Sequence, residues 1–143
     1  MEQCIFCSII AGSALSSVVH RDDVCIAFMD IQPLNPGHLL VVPLEHVARF
    51  ADVAPAIVAH LFGVAQRLAG AIRRSGLQAD GINLLLADGA AAGQEVDHVH
   101  LHVVPRFAGD GFGFHFGSNY GRPVPRERLE TDAASIAGAA EGA

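Results

Sequence analysis

Three histidines at alternate positions, His98, His100 and His102, lie in the run His98-Val99-His100-Leu101-His102-Val103-Val104. Side chains alternate faces along an extended strand, so the spacing predicts three imidazoles on one surface, with Val99, Leu101 and Val103 packed into the core on the other. Positions two apart are separated by about 6.6 Å, which sets the outer pair roughly 13 Å apart. One metal ion with nitrogen ligands near 2 Å cannot comfortably hold all three. The geometry favours divided labour: a terminal histidine free to serve a metal, and two free to face a substrate about as wide as a phosphate. Neutral imidazole is a competent nucleophile toward phosphorus, and a backbone carbonyl on its second nitrogen would fix the tautomer. A neighbouring protonated histidine would stabilise the charge on the transferring group. By itself the alternation also fits the polar outer face of an edge strand, or a structural zinc site. The small-residue loop Asp88 to Gly93, followed by Gln94, suits close backbone approach to a phosphate.

Composition restricts the chemistry further. The chain has 143 residues, a formal net charge of −6, and nine basic side chains, all of them arginine. That balance disfavours a role in coating nucleic acid. The absence of lysine removes Schiff-base chemistry, so a phosphate would meet histidine, arginine or backbone N–H groups. Cys4 and Cys7 have the spacing of a metal pair, or of two small buried side chains, and Cys25 lies in an apolar run as a core residue. The start, Met1-Glu2-Gln3-Cys4, has neither a basic nor an apolar leader region, from which a cytoplasmic location is expected. Val53 to Ile72 is long and apolar, but Pro55, His60, Gln66 and Arg67 mark it as a buried amphipathic helix and not a membrane span.

The elements that must position the histidines follow from periodicity. Val18 to His20 and Val24 to Asp30, separated by Arg21-Asp22-Asp23, predict a hairpin. Leu39 to Val42 supplies a third strand stopped by Pro43. Ile57, Leu61, Val64, Leu68 and Ile72 recur at helical spacing, with Gly76 as terminator. Ile82 to Leu86 is a fourth strand, and His98 to Val104, ended by Pro105, a fifth. Cys4 to Ala11 fits a short helical turn, and residues 131–143 a weak helix or frayed tail. Strands grouped around one long helix predict one α+β domain over 1–143, with a five-stranded antiparallel sheet and short terminal helices.

The ordered motifs Cys4-Ile5-Phe6-Cys7, Ala27 to Ile31, Pro36-Gly37-His38, Val41-Val42-Pro43 with His46, Ala92 to Val96, the triad, and Pro105-Arg106-Phe107 followed by Gly109 to Phe114 together resemble the histidine-triad (HIT) nucleotide hydrolases and transferases. The likeness runs over about 4–116 and is to bacterial members related to the nucleoside phosphoramidases. It implies that His100 attacks the α-phosphorus of a nucleotide to form a nucleotidyl-histidine, which water resolves. His102 would contact phosphate oxygens, and Gly93 and Gln94 would line the phosphate site. Asp30 would accept the ribose hydroxyls, and Phe6, Ile9, Phe28 and Ile31 would enclose a purine base. Cys4, Cys7, His46 and His98 would hold a structural zinc ion. The resemblance also implies a homodimer with sheets joined across a two-fold axis, and assigns no role to His20, His38, His60 or His115, expected to be surface or hydrogen-bonded structural residues. The sequence departs from the pattern at Ala87, where an asparagine is usual, and at Glu95, where the phosphoramidases have serine; Asn83 matches a second asparagine of some branches. These departures keep open a nucleotide-binding regulatory module with little catalysis. A hydrolase using the histidines around a catalytic metal is a third reading.

Overall fold

The structure is a computed structural model that describes residues 4–142; Met1 to Gln3 and Ala143, the ends of the expected 1–143 domain, lie outside the described residues. The chain divides into two units, Met1–Phe112 and Gly113–Ala143. The first contains helix α1 (Ile5–Ile10), strands β1 (Val18–Arg21), β2 (Cys25–Met29) and β3 (Leu39–Pro43), helix α2 (Pro55–Arg74), and strands β4 (Gly81–Leu86) and β5 (Leu101–Arg106). The strands form one sheet in the order β1-β2-β3-β5-β4, antiparallel throughout. The α+β class and the five-stranded antiparallel sheet are those the sequence pattern predicts.

Local chemistry explains the connections. The hairpin turn is closed by Asp22, whose Oδ1 accepts the backbone N–H groups of Val24 and Cys25, each at 2.8 Å, an Asx turn of the kind aspartate favours. Burial acts against ionisation of this carboxyl, but hydrogen bonds from His20, His60 and those two N–H groups outweigh it and hold its pKa well below the carboxylate range. Gly37 has φ +93°, and a Cβ there would lie 3.0 Å from Leu77 Cδ1 and 3.1 Å from Pro105 Cγ, so the turn into β3 requires glycine. Helix α2 begins with a proline at its first turn and lays Leu61, Val64, Ala65, Ala69 and Ile72 against the sheet, as its apolar stripe predicts.

Both faces of the central strands are covered, which is why β2 and β3 read as unbroken apolar runs. Cys25, Ala27, Leu39, Val41, Leu101 and Val103 face α2. Ile26, Phe28, Leu40 and Val42 point the other way and pack with Phe6 of α1. His102, between Leu101 and Val103, is therefore on the α1 face.

Two expected boundaries are corrected. The fifth strand does not span 98–104: it begins at Leu101, where its ladders with Val41 and Leu86 both end, and runs through Pro105 to Arg106. Proline is tolerated there because pairing with β3 stops at Val103, so Pro105 is laddered to β4 alone. Before Leu101 the backbone is extended but otherwise engaged, Val99 N–H bonding to Val47 carbonyl at 2.8 Å. In the second unit the tail expected over 131–143 is a longer helix, α3 (Arg126–Glu141), with no buried residue. Its first half is supported by the pairs Arg126–Glu130 at 3.5 Å and Arg128–Asp132 at 2.9 Å, spaced one turn apart as helix-supporting ion pairs are.

Candidate active site

The α1 face of the sheet gathers His98, His100, His102, Phe6, Phe28 and Asp30 into one region. His100 is buried, and its ring meets Phe6 edge-on at 5.1 Å between centroids and His102 at 4.9 Å. Its Nδ1 lies 2.7 Å from the carbonyl oxygen of His98. A carbonyl only accepts, so Nδ1 carries the proton and Nε2 a free lone pair. No buried side-chain nitrogen among the described residues lacks a partner, so this unbonded Nε2 opens to solvent.

His102 has the opposite tautomer, fixed by a relay. Leu34 N–H donates to His38 Nδ1 at 3.0 Å, which leaves the His38 proton on Nε2. That nitrogen lies 2.9 Å from His102 Nδ1 and donates to it, so the His102 proton sits on Nε2. Burial, with His100 and His38 close by, pushes the His102 pKa down to about 4 against a raising influence from Asp30, and burial likewise lowers that of His38. The expected protonated histidine beside the nucleophile is thus replaced by a neutral imidazole presenting an N–H donor. The resemblance leaves His38 as a surface or hydrogen-bonded structural residue, and the structure makes it the partner of a triad histidine. Its link to His102 follows from register: Leu40 pairs with His102, so His38 shares its face and lies on the diagonal.

Two clefts lie on this face, one of them reaching His38 and His102. One of about 260 Å3 is lined by Phe6, Ile9, Phe28, Asp30, Ile31 and Glu95 among others. The other, polar and about 250 Å3, is lined by Asp30, Gln32, His38, Gly93, Glu95 and His102 among others. Asp30 and Glu95 border both. Asp30 Oδ1 accepts Gln32 N–H at 2.8 Å and its Oδ2 lies 3.6 Å from His38 Nε2. Ile31 is at the rim and 90% exposed, so it walls the apolar cleft from one side only.

Gln94 departs from its expected place on the phosphate site. Its Nε2 donates to the carbonyls of Ala48 and Val96 at 2.9 and 3.0 Å, and its Oε1 accepts from Gly89 N–H and Arg49 Nη1 at 2.7 and 3.1 Å. All its amide atoms are used in holding the loop, whereas Gly93, expected at the same site, lines the polar cleft together with Glu95. Asn83 is also diverted, accepting Arg106 Nη1 at 2.7 Å in a network with Asp110.

Cys4, Cys7, His46 and His98 come together at the end of α1, with ligand atoms all within 4.8 Å of one another. His98 Nδ1 is 3.6 and 3.7 Å from the two sulfurs, and His46 Nδ1 is 3.3 Å from Cys7 Sγ. Zinc–sulfur and zinc–nitrogen bonds at tetrahedral angles would set S and N about 3.6 Å apart, so the donor set fits the ion. His98 Nε2 donates to Pro43 carbonyl at 2.9 Å, which orients the ring with Nδ1 toward the sulfurs, as ligating imidazoles are held.

The chain is similar to known proteins in both sequence and fold. A family model described as HIT domain matches residues 12–109. A HIT family protein from Bacillus anthracis, 38% identical, superposes with a TM-score of 0.87 over 96% of this chain and 97% of that one. A Zn-bound histidine triad family protein from Mycobacterium smegmatis, 40% identical, gives 0.75 over 96% and 97%. Adenylylsulfatase HINT3 of Arabidopsis thaliana is 36% identical over 105 residues, 73% of this chain and 53% of that protein.

Proposed function

Because the chain belongs to the histidine-triad (HIT) family, we propose that it is a nucleotide hydrolase or transferase that breaks a bond to the α-phosphate of a purine nucleoside phosphoramidate or dinucleoside polyphosphate, with His100 as nucleophile. The observation that carries this reading is the pair of opposed tautomers, a lone pair on His100 Nε2 beside an N–H on His102 Nε2. An adenylylsulfatase among the relatives supports it.

The base occupies the apolar cleft between Phe6, Ile9, Phe28 and Ile31, and the ribose hydroxyls donate to Asp30. His100 Nε2 attacks phosphorus, a nitrogen–phosphorus bond forms, and the bond to the leaving group breaks, the leaving group departing with the bonding pair and taking a proton from solvent. Positive charge then on the His100 ring is shared through Nδ1–H with the His98 carbonyl, and His102 Nε2–H donates to a phosphate oxygen. Water attacks the same phosphorus and the nitrogen–phosphorus bond breaks, its electron pair returning to His100 Nε2 and the surplus proton of the water passing to solvent, which releases the nucleoside monophosphate and restores neutral His100. Cys4, Cys7, His46 and His98 would hold a zinc ion, and because all four would be protein ligands its role would be structural, fastening α1 to the sheet. The protein acts in the cytoplasm as a homodimer.

Rapid quench with a labelled adenosine phosphoramidate tests the reading. The expected result is an acid-labile adduct, absent in His100→Ala together with turnover; undiminished turnover in that variant overturns it. The diversion of the Gln94 amide and the missing side-chain donor at Ala87 favour a second reading, a nucleotide-binding module with little catalysis. That reading predicts AMP binding with neither adduct nor turnover.

A further inference from the structure

On the α2 side of the sheet, away from the triad, a separate group of metal-binding side chains converges. His20 Nε2 of β1 and His60 Nε2 of α2 approach the same atom, Asp22 Oδ2, at 2.7 and 2.8 Å. Asp22 Oδ1 is fully occupied by the N–H groups of Val24 and Cys25, so the carboxylate is fixed in place with its other oxygen aimed between the two rings. The Cys25 thiol stands behind, 3.8 Å from that oxygen, and His20, Asp22 and Cys25 offer ligand atoms within 4.8 Å of one another. The side chains of His20, Asp22 and His60 are 24%, 27% and 38% exposed, open enough for an ion to enter from solvent. A simple fastening of the hairpin to α2 needs one hydrogen bond; here two imidazoles meet on one oxygen.

We propose that His20, Asp22 and His60 form a second metal site, for a borderline divalent transition-metal ion such as Zn2+, distinct from the Cys4-Cys7-His46-His98 set. Two imidazoles and one carboxylate on one side of an ion are a donor set such metals take, with water completing the shell. Metal–ligand bonds near 2.1 Å separate neighbouring ligand atoms by about 3.0–3.4 Å; both rings now meet Asp22 Oδ2 more closely than that, so an ion seats when each ring draws back from Oδ2 and turns toward the other. On binding, each imidazole gives up the Nε2 proton that bonds Asp22 and coordinates through that nitrogen with a proton on Nδ1, and Asp22 keeps its Oδ1 bonds and turns Oδ2 to the ion. The bound ion would clamp the β1–β2 hairpin to α2, elements joined through side chains 38 positions apart.

Titration of Zn2+ into the full chain, followed by calorimetry and by the ring nitrogen resonances of the histidines, tests this. The expected result is a second equivalent per chain that shifts the Nε2 resonances of His20 and His60. The double variant His20→Gln, His60→Gln loses that equivalent and retains the one that perturbs His46 and His98. Nε2 resonances of His20 and His60 that stay unmoved in the wild-type chain at saturating zinc overturn the proposal, whatever happens at the cysteines. So does a second equivalent that persists in the folded double variant.

Discussion

His100 and His102 are neighbours on one face, yet their protons sit on nitrogens that play opposite parts, and the cause in each case is a partner of fixed polarity. For His102 that partner is His38, itself fixed by Leu34 N–H. His38→Phe removes the donor, frees the His102 ring to take either tautomer, and is expected to lower kcat by about 10–100-fold, the usual effect of losing an orienting partner. Nitrogen spectra of the rings would show His102 as a tautomer mixture; an unchanged spectrum and kcat would refute the relay. The lowered pKa of His102 also has a stability consequence. In the folded chain it binds a proton only near pH 4, whereas an unfolded histidine binds one near 6.5. The stability from keeping it neutral is therefore complete above about pH 6.5 and is lost as pH falls from there toward 4, on the order of 3 kcal/mol. Urea unfolding of wild type and His102→Gln across this range should show a steeper acid loss in the wild type, and parallel curves would contradict it.

At the scale of elements, the weak member is α1. Six residues are too few for a helix to be stable alone, and it has no side-chain cap; what holds it are Phe6 against Phe28 and His100, and the Cys4-Cys7-His46-His98 cluster. Since α1 also supplies Ile5, Phe6 and Ile9 to the apolar cleft, chelation or Cys7→Ser should lower Tm by several degrees and raise KM about tenfold, ~1.4 kcal/mol. The effect on kcat should be smaller, because His100 and His102 are held from β5 and the His98 carbonyl. An unchanged KM after metal removal would count against the zinc pin. The same element scale explains what the sequence disclosed. Helix α2 and strands β2 to β4 were legible because their apolar periods are long and unbroken. The start of β5 was not, since alternation marks extended backbone but not where ladder partners run out. Nor was His38, whose place depends on register across β3 and β5, or the inward turn of Gln94, which follows from carbonyls of Ala48 and Val96 remote from any motif.

For the whole molecule, the question is how the sheet edges are used. Of the two edges, β1 has four residues and an irregular register between Val18 and His20, a poor template for continuing a sheet. The other, β4, has six residues in continuous register with β5 and carries Leu84, a large apolar side chain 39% exposed. If two copies join their sheets, β4 is the edge that can do so. About a two-fold axis β4 pairs antiparallel with its own copy, and Leu84, near the middle of Gly81–Leu86, then lies close to the same residue of the second chain. Leu84→Asp would bring two carboxylates into that patch, and like charges across a ladder repel. Light scattering is expected to give twice the chain mass for the wild type and the single-chain mass for the variant. The Tm of the wild type should rise with protein concentration while that of the variant does not, because only the dimer is linked to its own concentration. A wild type with the mass of one chain would remove the dimer from the proposal. A Leu84→Asp protein that stays dimeric would instead show that the copies meet elsewhere.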